Sequence, residues 1–377
     1  MLQKLNVESK KYSGKKRKGN PIAINNFEDK KQLNNKENNI ICMTYVLNKN
    51  LLECNKRLRL FGEDFIKKNK NKCNIIINGE KYKITSIIDE GKFEKYKIKE
   101  EKKILEVIFE GDTIEDTSDM FCDCKSLLKV DLSSFNSQNI TNMSRMFYGC
   151  ENVIEINLSS FKTDNVTHMD SMFYRCSSLI SLNLSTFNTE KVTDMTYMFG
   201  HCCKLKSLDL KSFKTENVTD MHDIFYMCKS LTKLDISSFE TNNVNNMAGM
   251  FTECSSLPTL SLSSFNTQNV TTMTGMFCEC CSLITLDLFS FNTQNVTDMK
   301  YMFYNCASLV TVNLSSFNTL KVGLMWYMFK NYSSLTMDNL SSFNVADVGT
   351  FNMFYGCLNL ASCGSSDKKI VNAFNNR

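Results

Sequence analysis

Proline is almost missing from this 377-residue chain, with 2 copies, and histidine and tryptophan are scarce at 3 and 1. No run of 18 apolar residues occurs, which excludes a membrane-spanning helix. No apolar stretch follows the charged opening MLQKLNVESKKYSGKKRKGN, and the ending SDKKIVNAFNNR carries neither a hydrophobic tail nor a lipidation cysteine. Neither a secretory leader nor an anchor is expected, so this reading alone predicts an intracellular protein. The sequence also lacks a glycine-rich phosphate loop, a G-x-S-x-G elbow and an H-E-x-x-H helix. Without a convergent motif the chain is not expected to be an enzyme, to have catalytic residues, or to hold a cofactor or metal.

What is present is an ordinary soluble composition, 42% apolar and 22% charged, which excludes wholesale disorder. The 17 cysteines and 21 methionines are unusual. A chain this long buries enough surface to fold without disulfides, so the cysteines need another explanation. Charge is uneven. Residues 1–103 hold 26 basic and 13 acidic residues, a formal +13, and residues 104–377 hold 18 and 27, a formal −9. A basic front joined to an acidic body points to two parts with different tasks.

The body is a repeat. Phenylalanine returns every 26 residues from Phe121 to Phe329, a second phenylalanine column runs from Phe135 to Phe343, and cysteine returns from Cys124 to Cys306. The unit reads L-x-x-L-x-L-S-S-F-N-T-x-N-V-T-x-M-x-x-M-F-x-x-C-x-S, and a one-residue deletion shifts the last copy to Met353, Phe354 and Cys357. In the copy from Thr141, the residues Met143, Met146, Phe147 and Cys150 fall at i, i+3, i+4 and i+7, which predicts a two-turn helix with Thr141 at its N-cap. Val153, Ile156 and Leu158 then predict a short strand. One unit cannot bury its apolar face alone, but stacked units can, with like residues forming ladders.

This unit resembles the BspA-like leucine-rich repeat, a 26-residue unit of surface proteins, over residues 104–361. The resemblance implies a leucine-rich-repeat-type right-handed solenoid with one short strand and one short helix in each of about ten coils, and a role in adhesion or protein binding at a cell surface. The domains expected are a disordered basic Lys/Asn-rich tail over 1–38, a small β-rich N-terminal cap over 39–103, the repeats over 104–361, and a C-terminal tail over 362–377. Within the cap, Asn78-Gly79 between two apolar runs marks a hairpin. The phrase Leu60-Phe61-Gly62-Glu63-Asp64-Phe65 resembles a segment that precedes such repeats in protist proteins.

Three features invite a functional reading. The cysteine ladder suits a metal track or disulfides, but each cysteine closes an apolar stripe, and a buried free thiol acting as a small hydrophobe is preferred. The dense Cys122/Cys124 and Cys278/Cys280/Cys281 groups lack the histidine partners or paired C-x-x-C of a zinc site, and His168, His201 and His222 read as surface residues. The strand's outward column, Asp131, Asn157, Asn183, Asp209, Asp235, Ser261, Asp287 and Asn313, offers a polar, partly acidic stripe that either binds a basic partner or is simply solvated.

The leading expectation is a monomeric, non-catalytic solenoid for a protein partner of unknown identity, with a surface glycan as second choice. The same architecture serves a secreted adhesin or effector. In a third reading the run Lys15-Lys16-Arg17-Lys18 tethers the body to nucleic acid or an anionic membrane. The body's −9 charge disfavours nucleic acid contact there. The sequons at Asn139, Asn157, Asn165, Asn183, Asn217, Asn269, Asn295 and Asn313 follow from the repeat and do not by themselves indicate secretion.

Overall fold

A computed structural model describes residues 39–47, 57–99, 103–332, 340, 342–343, 349–359 and 363–376, all within one unit, Asn38–Arg377. The tail expected over 1–38 lies outside the described residues. The cap contains strands β1 (Asn39–Val46), β2 (Arg57–Arg59), β3 (Cys73–Ile77), β4 (Glu80–Lys83) and β5 (Ile87–Asp89), and a helix α1 (Glu63–Asn69). Alternation builds β1: Ile41, Met43 and Tyr45 point inward and are fully buried. Asn78 and Gly79 take φ of 51° and 82°, the left-handed pair that a tight β3–β4 hairpin needs. In α1, Glu63 and Asp64 sit in the first turn and Lys67 and Lys68 in the last, matching the helix dipole.

Strand β6 (Ile104–Gly111) lies between β1 and β3, antiparallel to both. The expected first repeat thus opens on a strand antiparallel to its neighbours, where the later layers pair in parallel. Of the two apolar matches to the next copy, Phe109 is fully buried in this cap strand, whereas Ile104 is exposed. β1 also pairs antiparallel with β7 (Leu127–Asp131), which is followed in parallel by β8 (Glu155–Asn157), so one six-stranded sheet of order β4-β3-β6-β1-β7-β8 joins cap to repeats. Phe61 stacks on Phe121 at 5.7 Å, and Gly62 donates its N–H to the Met120 carbonyl at 3.0 Å. A Cβ on Gly62 would stand 2.0 Å from the Asp119 carbonyl oxygen, so the Leu60–Phe65 phrase fits the end of the repeats as a plug with a bare backbone at its closest point.

The repeats stack as layers in register. Parallel bridges link Asp116, Asn142, His168, Asp194, Asp220, Asn246, Thr272, Asp298, Leu324 and Gly349 in succession. Short parallel strands accompany them: β9 (Ser207–Asp209) beside β10 (Lys233–Asp235), and β11 (Thr285–Asp287) beside β12 (Thr311–Asn313). Phenylalanine rings at 26-residue spacing from Phe121 to Phe329, and then Phe354, stack with centroids 5.3–5.8 Å apart. Among the described residues the apolar consensus positions are buried, with Leu182, Leu234 and Val312 partly so.

The helix expected in each unit is absent. Over Met143–Cys150 the chain makes two consecutive four-residue turns. Met146 donates to the Met143 carbonyl at 3.2 Å and Cys150 to that of Phe147 at 3.1 Å, while Arg145 and Gly149 take φ of 58° and 71°. A positive φ at the third position is the signature of a type II turn. Each turn buries its first and last residue, so a tandem pair repeats the i, i+3, i+4, i+7 pattern of a helix. The free N–H groups then point along the stack: Met143, Arg145, Phe147 and Gly149 donate to His168, Asp170, Met172 and Tyr174 in the next layer at 2.8–3.0 Å. Thr141 is no N-cap; its hydroxyl donates to Glu115 of the layer before at 3.3 Å.

At the other end, the segment expected as a tail contains helix α2 (Lys368–Asn375), capped by the Asp367 carboxylate, which accepts from the Lys369 and Ile370 N–H groups. Ile370 is fully buried and Phe374 meets Phe354 edge-on at 6.0 Å, closing the phenylalanine stack.

Candidate functional site

Most polar consensus letters of the unit have a partner in an adjacent layer; the first serine of S-S-F instead bonds within its own layer, as Ser237 does to Asp235 at 2.7 Å. The second serine of S-S-F donates to a leucine carbonyl, as Ser238 does to Leu210 at 3.1 Å. The threonine of F-N-T is buried and bonds twice: Thr215 donates to the Glu240 carbonyl and accepts the Glu240 N–H, both at 2.8 Å. The asparagine of N-V-T donates backwards, as Asn217 does to Glu190 at 2.7 Å and Asn269 to Asn242 at 2.7 Å. The following threonine does likewise, Thr193 to Thr167 at 3.3 Å. The cysteine thiol donates to a phenylalanine carbonyl, Cys202 to Phe173 and Cys228 to Phe199 at 3.2 Å. These residues hold layers together, and the side-chain amide of several sequon asparagines is already engaged.

The outward positions form two faces. On the strand face, Asn183, Asp209, Ser261, Asp287 and Asn313 are exposed and Asp131, Asn157 and Asp235 half-buried. Seven of these eight side chains accept a backbone N–H two residues on, as Asp209 does from Lys211 at 3.1 Å and Asp287 from Phe289 at 3.0 Å. Each closes an Asx turn where the strand ends. Ser261 instead meets the Ser263 hydroxyl at 3.5 Å. The stripe thus has a structural task, and the second carboxylate oxygen of Asp235 lies 3.3 Å from the Lys211 ammonium.

The second face is formed by the outward residues of the tandem turns, and it is rich in aromatic and cationic side chains. Arg145 lies 4.6 Å from the centre of the Tyr148 ring, which stacks on Tyr174 at 5.2 Å. Tyr174 meets His201, His201 meets Tyr226, and Tyr197 meets His222, all edge-on at 4.7–5.2 Å. A hydrogen bond to the Asp220 carboxylate, 2.8 Å away, raises the His222 pKa, whereas burial and then Arg175 lower that of His201. Further along, Lys330 lies 4.8 and 5.0 Å from the ring centres of Tyr327 and Tyr355. Between the two groups the positions equivalent to Arg145 and Tyr148 are small, Gly249 with Thr252 and Gly275 with Cys278, while those equivalent to His201 are Glu253 and Glu279. Reading the helix stripe hid this face; its signal was tyrosine, arginine and histidine recurring at the x positions of M-x-x-M-F-x-x-C.

The ladder cysteines are free, and burial raises the thiol pKa of Cys150, Cys176, Cys202, Cys254 and Cys306 well above the ordinary value. Such thiols are packing residues that resist oxidation. At the one ladder position where Tyr332 replaces cysteine, its buried hydroxyl has no partner among the described residues. Among the described residues no group of three or more potential ligands could hold a metal ion, and no helix is long and apolar enough to cross a membrane. A cavity of about 230 Å³ in the cap, lined by Leu47, Ile98, Ile104 and Leu105 beside Lys99 and Glu106, presents no thiol, imidazole or hydroxyl.

No curated protein matches the chain. A matching solved structure, the crystal structure of a TLR13–ssRNA13 complex, shares 14% identity over 67% of this chain at a TM-score of 0.18. This chain covers 49% of that one. At that score the likeness bears on neither fold nor ligand. A family model matches three times in tandem, over residues 92–207, 200–309 and 281–374. These matches run through the repeats and both of their ends, and the chain belongs to that family, described as Mycoplasma protein of unknown function, DUF285.

Proposed function

We propose that the chain is a non-catalytic scaffold that binds a protein partner along an extended face of a right-handed, leucine-rich-repeat-type solenoid. One observation carries this reading: most polar consensus residues are engaged between layers, which leaves the outward positions, recurring at a fixed spacing, to recognise a partner. Many weak contacts repeated along such a face sum to useful affinity. The resemblance to the BspA-like repeat points the same way and adds adhesion at a surface as the setting.

On the strand face the acidic stripe at Asp209, Asp235 and Asp287 suits a basic partner. The test is partner capture by the immobilised full chain and by the D209N/D235N/D287N variant. Asparagine keeps the turn-closing acceptor oxygen and removes only charge, so the melt should stay near wild type. A discrete partner set that the variant loses supports the stripe. An unchanged set moves the binding face elsewhere, and capture of nothing by the intact chain rejects the binding reading.

A further inference from the structure

The bonding rule of the N-V-T motif breaks where the repeats meet the cap, and the break leaves one sequon free. In the N-x-T sequons at Asn165, Asn217, Asn269 and Asn295 the side-chain amide donates to a backbone carbonyl 27 residues earlier, at 2.7–3.0 Å. The nitrogen that a sugar would occupy is thus held against the preceding layer. Lys191 and Lys321 engage two of these side chains further, donating to the carboxamide oxygens of Asn165 and Asn295 at 2.8 and 2.7 Å.

Asn139-Ile140-Thr141 opens the same column, and by the same rule the Asn139 amide would meet the Asp112 carbonyl. That place is taken. Asn39, at the start of β1, donates its own amide to Asp112 at 2.7 Å and accepts the Asn136 N–H at 2.9 Å. Asn139 and Thr141 are exposed, and among the described residues the Asn139 side chain has no hydrogen-bond partner. The N-x-S sequons are bound in another way. Asn142, Asn157, Asn183 and Asn313 each close an Asx turn by accepting the N–H of their own sequon's serine at 2.9–3.1 Å. Asn157 also donates to Asp131 at 2.8 Å.

N-glycosylation joins a sugar to the asparagine amide nitrogen, so it needs that nitrogen clear of other groups. On a ladder asparagine the sugar would stand where the preceding layer lies, at the cost of the bond between them. We propose that Asn139 is an N-glycosylation acceptor of the folded chain, and that the fold shields the ladder sequons from the same reaction. The substrate is a sugar activated at its anomeric carbon by a diphosphate, on a nucleotide or a lipid carrier. A bond forms from the Asn139 amide nitrogen to the anomeric carbon, and the bond from that carbon to the diphosphate oxygen breaks. The diphosphate leaves with the electron pair, and one amide proton passes to the transferase. The site is independent of which face of the solenoid holds a partner.

The test incubates the folded full chain with a soluble N-glucosyltransferase and UDP-glucose, and separately with an oligosaccharyltransferase and its lipid-linked donor. Sites are read by peptide mass, and the arm that labels identifies the carrier. Sugar on Asn139 should exceed that on Asn165, Asn217, Asn269 or Asn295 by ~10-fold or more, the factor that one interlayer hydrogen bond supplies. Synthetic peptides spanning the same five motifs should be modified alike, which assigns the preference to the fold and not to the local sequence. No sugar on the folded chain in either arm, equal sugar on the ladder asparagines, or the same preference among the peptides would overturn the proposal.

Discussion

Threonine 215 shows how closely a single side chain is tied to its neighbours. Its hydroxyl donates to and accepts from the same residue, Glu240, one layer on. Thr215→Val keeps the shape and deletes both bonds, leaving buried backbone groups unpaired, and should cost about 1–3 kcal/mol in a denaturant melt, with Thr215→Ser recovering part of it. The cysteines make a second residue-scale prediction. Native alkylation read by mass spectrometry should leave Cys150, Cys176, Cys202, Cys228, Cys254, Cys280, Cys306 and Cys357 unmodified, and unfolding should make all of them react. That the cysteines are buried free thiols was readable from their place at the end of an apolar stripe. That Thr215 and Asn217 bind the next and preceding layers was not, because a polar letter in a repeat carries no mark of which backbone group it meets.

The tandem turn is the element that sequence pattern misread. Hydrophobic spacing registers only which residues point inward, and two four-residue turns place inward residues at the same intervals as two helical turns. The telling residues are outward ones: glycine at 149, 249 and 275, with left-handed φ, sits where a good helix would not want it. Met227, at φ 57°, separates the two structures by the sign of one substitution. Met227→Gly should leave the melting temperature unchanged or raised, since glycine suits a left-handed position, whereas a helix would lose about 1 kcal/mol. The histidines on these turns give a pH signature. His222 is raised above 6.5, so its stabilisation is complete below that value and is lost as pH rises through the folded pKa. His201 is lowered, so its contribution is complete above 6.5 and is lost as pH falls toward the folded pKa. Melts across this range should slope downward with pH in H201Q and upward in H222Q.

At the scale of the molecule, the 26-residue period was enough to predict stacking and the ladders of Phe, Met and Cys. The ends were harder. The cap's β6 shares the apolar register of a repeat, and α2 is short enough to read as a tail, because both are specified by what they cover rather than by their own periodicity. Layers that touch only their neighbours should lose stability locally. Phe225→Ala, which removes a fully buried ring from the stack, should cost about 3–5 kcal/mol, with hydrogen exchange rising first in the layers on either side of it.

The central claim is that residues one period apart lie side by side. Asn246 and Thr272 form such a parallel bridge. Neighbouring strands at ~4.8 Å fall within the Cα separation that a disulfide tolerates. Oxidation of N246C/T272C should therefore link the two positions, read by peptide mass, and N246C/T271C, whose second side chain leaves the ladder on another side, should stay reduced. Linkage in both variants, or in neither, would contradict in-register stacking.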